Sequence, residues 1–281
     1  MKNRNIKIGF FGTPEYAVTT INKLHNAGFN LAFVVTGEDK HKGRNMLLTS
    51  SPVKQWAISH GVEVLQNIDL KDSIFEQTLR KYSCDVFIVI GYGKIIPESI
   101  LNIPKAKSLN IHGSLLPRLR GPSPIEGAIL NDERNTGVSI IRMDKDMDHG
   151  PIIAQENISI DNWPPYAEEL REKIVTKGTD LLVSILPDWI NGKIKEKEQD
   201  HDRASYTKII KKEDGQIDLE HDAYKNFLKI KAYRGWPSVF FFKHGKRIKI
   251  TEAHYEDGKL VIKKIIPEGK KEIFYKDWLA I

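Results

Sequence analysis

A doubly wound α/β body with a mostly parallel sheet, followed by a small, mainly β tail, is the fold class that the sequence predicts. Two observations predict it. Over the first two-thirds of the 281 residues, short β-branched or apolar runs alternate with stretches whose apolar residues recur every three or four positions. After residue 190 that pattern gives way to short strand-like runs divided by turn pairs.

In order along the chain, strands are expected at residues 6–11, 31–35, 86–90, 108–111 and 138–143. Amphipathic helices are expected at 15–27 and 73–81. The first strand turns into the first helix through Phe11-Gly12-Thr13-Pro14-Glu15, where Thr13 is placed to cap and Pro14 to open the helix. Gly12 is the lone glycine of that turn, so the dinucleotide fingerprint G-x-G-x-x-G is missing and a nicotinamide site is disfavoured. Asn191-Gly192 ends a helix, and the Lys/Glu-rich stretch 193–203 reads as a surface linker. Short strands then follow at 239–243, 247–251 and 259–265, with turn signals at His244-Gly245, Asp257-Gly258 and Pro267-Glu268-Gly269, a pattern that suits an OB-like module. The expected organisation is a body over 1–190, a linker over 191–204 and a small basic β domain over 205–281.

Composition removes several function classes. With 40% hydrophobic and 28% charged residues the chain can bury a core, which excludes dominant disorder. The single cysteine, Cys84, can form neither an internal disulfide nor a cysteine-based zinc site, and its place before an apolar run assigns it to core packing. The N-terminus lacks a signal-peptide core and no window holds 18 successive apolar residues, which together predict a cytoplasmic, metal-independent protein that does not span a membrane. The net charge of +6 is unevenly spread: residues 204–281 hold 17 Lys and Arg against 11 Asp and Glu, so the tail carries the whole excess. A neutral body with a basic tail suits docking onto a phosphate-bearing partner.

The densest polar constellation is Ser108-Leu109-Asn110-Ile111-His112-Gly113-Ser114-Leu115-Leu116-Pro117-Arg118-Leu119-Arg120-Gly121. On a strand, Asn110 and His112 project from one face while Leu109 and Ile111 face the other. An amide and an imidazole side by side can bind one developing oxyanion and move a proton near neutral pH. No nucleophile accompanies them: Ser114 lacks a G-x-S-x-G elbow and Cys84 has no neighbouring base, so covalent catalysis is disfavoured. A carboxylate to orient the histidine is expected from the loop after the next strand, Met143-Asp144-Lys145-Asp146-Met147-Asp148-His149-Gly150, and spacing leaves Asp144, Asp146 and Asp148 open. Arg118 and Arg120 suit either an acceptor phosphate or capping of their own loop.

These residues carry a resemblance. Ser-Leu-Asn-Ile-His-Gly-Ser-Leu-Leu-Pro with Arg120-Gly121, and Met-Asp-x-x-Met-Asp-x-Gly downstream, resemble the 10-formyltetrahydrofolate-dependent formyltransferases. Phe11-Gly12-Thr13-Pro14-Glu15-Tyr16-Ala17, Gly43-Arg44, Ser51-Pro52-Val53-Lys54, Gly91-Tyr92-Gly93-Lys94-Ile95-Ile96-Pro97 and Trp236-Pro237 are most similar to the methionyl-tRNA formyltransferase family. That resemblance implies a Rossmann-like formyltransferase fold and a formyl transfer from 10-formyltetrahydrofolate to the methionine amine of initiator methionyl-tRNA. It implies Asn110, His112 and Asp148 as the catalytic trio. It places the folate at Ser114, Leu115, Leu116 and Pro117 and along the loop of Ile90, Gly91, Tyr92, Gly93 and Ile96. A tRNA-contacting loop is implied at residues 37–51, with Lys40, Lys42 and Arg44 as its basic contacts, in a monomer without metal. Asp146 and His149 stand where the family more usually has Gly and Thr, which sets a second imidazole near Asp148. The alternatives are a sugar N-formyltransferase acting on a nucleotide-linked amino sugar, which generally lacks the Gly-Arg and Ser-Pro-Val-Lys segments, and a non-catalytic RNA-binding relative.

Overall fold

The structure, a computed structural model, describes residues 3–42, 46–66 and 69–280. Its strands are β1 (Lys7–Gly12), β2 (Asn30–Val35), β3 (Lys40–Lys42), β4 (Leu47–Thr49), β5 (Glu63–Leu65), β6 (Val86–Ile90), β7 (Ser108–His112), β8 (Thr136–Arg142), β9 (Ile152–Ile158), β10 (Val239–Lys243), β11 (Lys246–Glu256), β12 (Lys259–Pro267) and β13 (Ile273–Phe274). The helices are α1 (Glu15–Asn26), α2 (Pro52–Ser59), α3 (Ser73–Lys81), α4 (Glu98–Leu101), α5 (Pro124–Leu130), α6 (Ala167–Ile190), α7 (Ala223–Ala232) and α8 (Tyr275–Leu279).

Seven strands form one sheet in the order β5-β2-β1-β6-β7-β8-β9. From β5 to β7 every pairing is parallel, and β8 runs antiparallel to β7. The mostly parallel sheet follows from sequence: Val86-Phe87-Ile88-Val89-Ile90 is buried at every position, as a strand covered on both faces must be. On one face, α1 buries Ala17, Thr20, Ile21 and Leu24, and its Thr20 shares a buried 2.8 Å hydrogen bond with Thr179 of α6. On the other, Phe11, Phe33 and Phe87 meet Phe75 and Leu79 of α3 and Ile100 and Leu101 of α4 in one apolar cluster. Cys84 belongs to that cluster, and burial pushes its thiol up to about 12.

Helix starts follow local chemistry in α2 and α3, where Ser51 accepts from the Lys54 amide and Asp72 from the Ile74 amide. Helix α1 departs from expectation. Pro14 occupies its N-cap, and Thr13 instead accepts from the Gly37 amide at 3.1 Å and donates to the Tyr92 carbonyl at 3.3 Å. Thr13 thus ties the segments leaving β1, β2 and β6 together, a tertiary use of its hydroxyl that local spacing does not reveal.

The chain forms two compact units that interleave in sequence. One comprises residues 1–120, 137–158 and 172–205; the other comprises 121–136, 159–171 and 206–281. This differs from a contiguous body over 1–190 with a linker over 191–204. Segments 121–136 and 159–171 mix apolar and charged residues as the flanking stretches do, so no run of one residue type marks them. The expected linker belongs to the first unit: Lys197 and Ile152 exchange both backbone hydrogen bonds at 2.8 Å, and Gln199 is buried.

Within the second unit, β10, β11, β12 and β13 form an antiparallel sheet in sequential order. Its two long hairpins turn at His244-Gly245 and Asp257-Gly258, and all four residues have positive φ, as tight two-residue turns between twisted strands require. Helix α7 is capped by Asp222, which accepts from the Tyr224 and Lys225 amides.

Candidate active site

Strands β1, β6 and β7 end side by side, with Gly12 opposite Ile90 and Val89 opposite Asn110, so the segments after β6 and β7 leave from one edge of the sheet. In parallel α/β sheets that edge is where ligands bind. Strand β7 presents Asn110 and His112 on one face. On the other, Ile111 packs against Val138 and α6, where a side chain at Gly178 would lie 2.8 Å from Ile111 Cγ2 and 2.6 Å from Val138 Cγ2.

Asp148 joins the pair. Asn110 Nδ2 donates to Asp148 Oδ1 at 3.4 Å, and His112 Nδ1 faces Asp148 Oδ2 at 3.5 Å. The route differs from the one expected. Because β8 is antiparallel to β7, with Leu109 opposite Arg142 and His112 opposite Ser139, β8 ends at the edge where β7 begins. The 143–150 loop therefore returns along β7 to bring Asp148 to the site, and the rule for parallel strand ends does not explain its position.

The three loop carboxylates differ in their surroundings. Asp144 accepts from the Asp146 amide at 2.9 Å and from His149 Nδ1 at 2.7 Å, while the Asp146 side chain is exposed. His149 is thus engaged by Asp144, and its ring stacks on His201 at 4.1 Å. Asp148 holds a left-handed backbone, φ 50°, a conformation that aspartate tolerates better than most residues.

His112 is 5% exposed and held from the far side of its ring. Its Nε2 donates to the Leu119 carbonyl at 2.9 Å, since a carbonyl can only accept. That fixes Nδ1 as the nitrogen toward Asp148 and the Asn110 amide. Leu119 itself has φ 56°, a strained value for a bulky residue. Ser205 holds this turn: its hydroxyl accepts from the Leu119 amide at 2.9 Å and its carbonyl accepts from the Arg120 amide at 2.8 Å.

The turn after β7 is similarly saturated. Ser114 donates its hydroxyl to the Arg118 carbonyl at 2.6 Å, and its own carbonyl accepts from Ser139 at 2.6 Å. Leu116 packs with Ile141 and Ile152, so its side chain faces the core; Leu115 and Pro117 are half-buried. Along the loop after β6, Ile90, Tyr92 and Ile96 are buried, and burial holds the Tyr92 phenol up at about 12. Gly91 and Gly93 are exposed with φ 59° and 80°, and Ile95 is exposed beside them.

Arg120 occupies a place that sequence left open. It is 1% exposed and donates to Gln199 and His201, so it serves the interior and not an acceptor phosphate. Of the implied tRNA contacts, Lys40 is exposed on β3, Lys42 pairs with Leu47 of β4 through its backbone, and Arg44 lies outside the described residues. Within the 37–51 segment β3 pairs with β4, and Met46, Leu47 and Leu48 are exposed. Among the described residues no cluster of His, Cys, Asp and Glu is placed to hold a metal, and no helix is long and apolar enough to cross a membrane.

Residues 5–186 match the formyl transferase family, and residues 209–259 match the formyl transferase C-terminal domain. The chain belongs to the formyl transferase family. A relative from Chloroflexus aggregans named methionyl-tRNA formyltransferase is 42% identical over 88% of this chain and 80% of its own length. Another of that name, from Myxococcus xanthus, is 34% identical over 97% of this chain and 94% of its own. Among solved structures, a methionyl-tRNA formyltransferase from Clostridium thermocellum superposes with a TM-score of 0.62 at 17% identity, covering 93% of this chain and 98% of that one. A sugar N-formyltransferase from a Shewanella species gives 0.68 at 18%, covering 89% and 98%. At such identities both show a shared formyl transferase fold and nothing finer. The protein is a formyl transferase with a Rossmann-like body and a C-terminal antiparallel sheet.

Proposed function

We propose that this formyl transferase moves the formyl group of 10-formyltetrahydrofolate to the methionine amine of initiator methionyl-tRNA, with Asn110, His112 and Asp148 as the reacting trio. The observation that carries the reading is the meeting of these three side chains at the carboxyl edge of a formyl transferase sheet. The acceptor follows from the relatives, which bear the methionyl-tRNA formyltransferase name at 34–42% identity over most of the chain. The exposed Gly91, Gly93 and Ile95, on the segment that follows the strand paired with β7, support a folate site there.

The uncharged amine attacks the formyl carbon, and the carbonyl π pair moves onto oxygen. Asn110 Nδ2–H and a protonated His112 Nδ1 converge where that oxyanion forms, and their loose 3.4–3.5 Å contacts with Asp148 let both donors pass their hydrogen bonds to it. The Leu119 carbonyl keeps the ring oriented while Nδ1 does so. The attacking nitrogen, now cationic, gives a proton to the Asp148 carboxylate, directly or through water. Collapse of the oxyanion expels N10 of the folate, which takes up that proton. Charge balances at every stage and no covalent enzyme intermediate is required.

The acceptor is tested by incubating the protein with 10-formyltetrahydrofolate and either methionyl-tRNA or a nucleotide-linked amino sugar. Formylation of methionyl-tRNA is expected. Formylation of the sugar alone would replace this reading with the sugar transferase, and formylation of neither would favour a non-catalytic relative.

A further inference from the structure

Gln199 lies in the stretch that composition assigns to a linker, yet it is 5% exposed and all its hydrogen-bonding capacity is used. Its Nε2 donates to the Asp148 carbonyl at 2.9 Å and to the Gly150 carbonyl at 2.7 Å. Its Oε1 accepts from Arg120 Nε at 3.1 Å and from Arg120 Nη2 at 2.7 Å. Two donors forward and two acceptances behind is the full complement of a primary amide.

The orientation of that amide is therefore fixed by charge. A guanidinium carries donors only, so buried Arg120 forces Oε1 toward itself and the NH2 group toward the loop. Arg120 is steadied in turn by His201, whose Nδ1 accepts from Nη2 at 2.8 Å, and by Ser205, whose carbonyl accepts from its backbone amide. The loop needs such a hold. Asp148 sits in the left-handed region, and conformations of that kind persist only where the surroundings over-determine them. Gly150 closes the same loop from the other side: a side chain there would meet the Arg142 carbonyl.

We propose that Gln199 is a positioning residue for formyl transfer, its amide aimed by Arg120 to hold the 148–150 backbone so that the Asp148 carboxylate faces His112 and Asn110. The proposal rests on the reading of those three as the reacting trio. Gln199 touches neither substrate and acts through Asp148. It should govern turnover and leave substrate affinity alone, because displacing a catalytic group by about 1 Å can cost about 100-fold in rate.

Gln199→Glu is the decisive variant. The carboxylate still accepts from Arg120, so the buried guanidinium keeps its partner, but both donors to the loop are lost and an acceptor is set against two carbonyls. Gln199→Asn, one methylene shorter and uncharged, serves as the second variant should the first fail to fold. Steady-state kinetics with 10-formyltetrahydrofolate and whichever acceptor the incubation above shows to be used, with thermal unfolding as a check on the fold, are compared with those of Asp148→Asn. The expected result is a kcat lower by about 10- to 100-fold with both KM values changed by less than about threefold. A wild-type kcat in a folded Gln199 variant, with Asp148→Asn impaired, overturns the positioning role alone. So does a loss confined to KM. Near-normal turnover in Asp148→Asn overturns the trio itself, whatever Gln199 does.

Discussion

The tether on His112 shows how single residues shape this site. Its ring is anchored through Nε2 to a carbonyl on a strained turn, so the nitrogen left facing Asp148 is Nδ1, beside the Asn110 amide. Both side chains are donors toward the same small volume, and loss of one oxyanion donor typically lowers turnover by about 100- to 1,000-fold. Asn110→Ala and His112→Ala are accordingly expected to bind a folate analogue with wild-type affinity and lose kcat on that scale, measured by single-turnover formylation and by titration of the analogue. Equal losses in binding and turnover would assign the two residues to folate recognition. Their pairing was legible in sequence because strand parity alone sends residues 110 and 112 to one face. Asp148 was not separable from Asp144 and Asp146, because a loop has no period. Only the path of the 143–150 segment, which follows an antiparallel β8, separates them: Asp144 meets His149, Asp148 meets Asn110 and His112, and the Asp146 side chain is exposed.

At the level of elements, the parallel core was readable wherever burial on both faces forced continuous apolar sequence, as in β6. Strand β9 was not, since Ala154-Gln155-Glu156-Asn157 alternates toward polar residues at the end of the sheet. Nor was the 191–204 segment, whose Lys and Glu side chains face solvent while one neutral amide, Gln199, turns inward; a lone glutamine amid charges is the signal that composition averages away. Helix α6 carries a related hidden constraint at Gly178. In an isolated helix, Gly→Ala is worth about 1 kcal/mol in favour of alanine. Here the added methyl would sit 2.6 Å from Val138 Cγ2 and 2.8 Å from Ile111 Cγ2, neither of which can swing away. Overpacking costs about 1–3 kcal/mol, so Gly178→Ala should lower the urea midpoint despite better helix propensity. The strain would fall on Ile111, between Asn110 and His112, and kcat should fall with it. A more stable variant with normal turnover would show that β7 and α6 are not in close contact.

Across the whole molecule, charge is unevenly divided. Residues 1–203 are electrically balanced and contain the trio, whereas residues 204–281 carry the net +6. If the proposed acceptor is right, a polyanionic partner gains from a positive field, because each phosphate neutralised by Lys or Arg releases condensed counterions. Part of the tail's charge is already engaged, as Lys264 is by Glu252 at 2.9 Å, so the number of phosphate contacts cannot be equated with the formal excess. For about six contacts, affinity falls by about a thousandfold between roughly 50 and 200 mM salt, and fewer contacts give a proportionately shallower slope. Titrating methionyl-tRNA at several salt concentrations should therefore give a linear loss of log affinity with log salt. Replacing Lys263, Lys270 and Lys271 together by Gln should flatten that slope and leave formylation of saturating acceptor unchanged. A slope that the triple replacement leaves untouched would move the electrostatic contact to other residues, and a salt-independent affinity would remove the tRNA backbone as the reason for the basic tail.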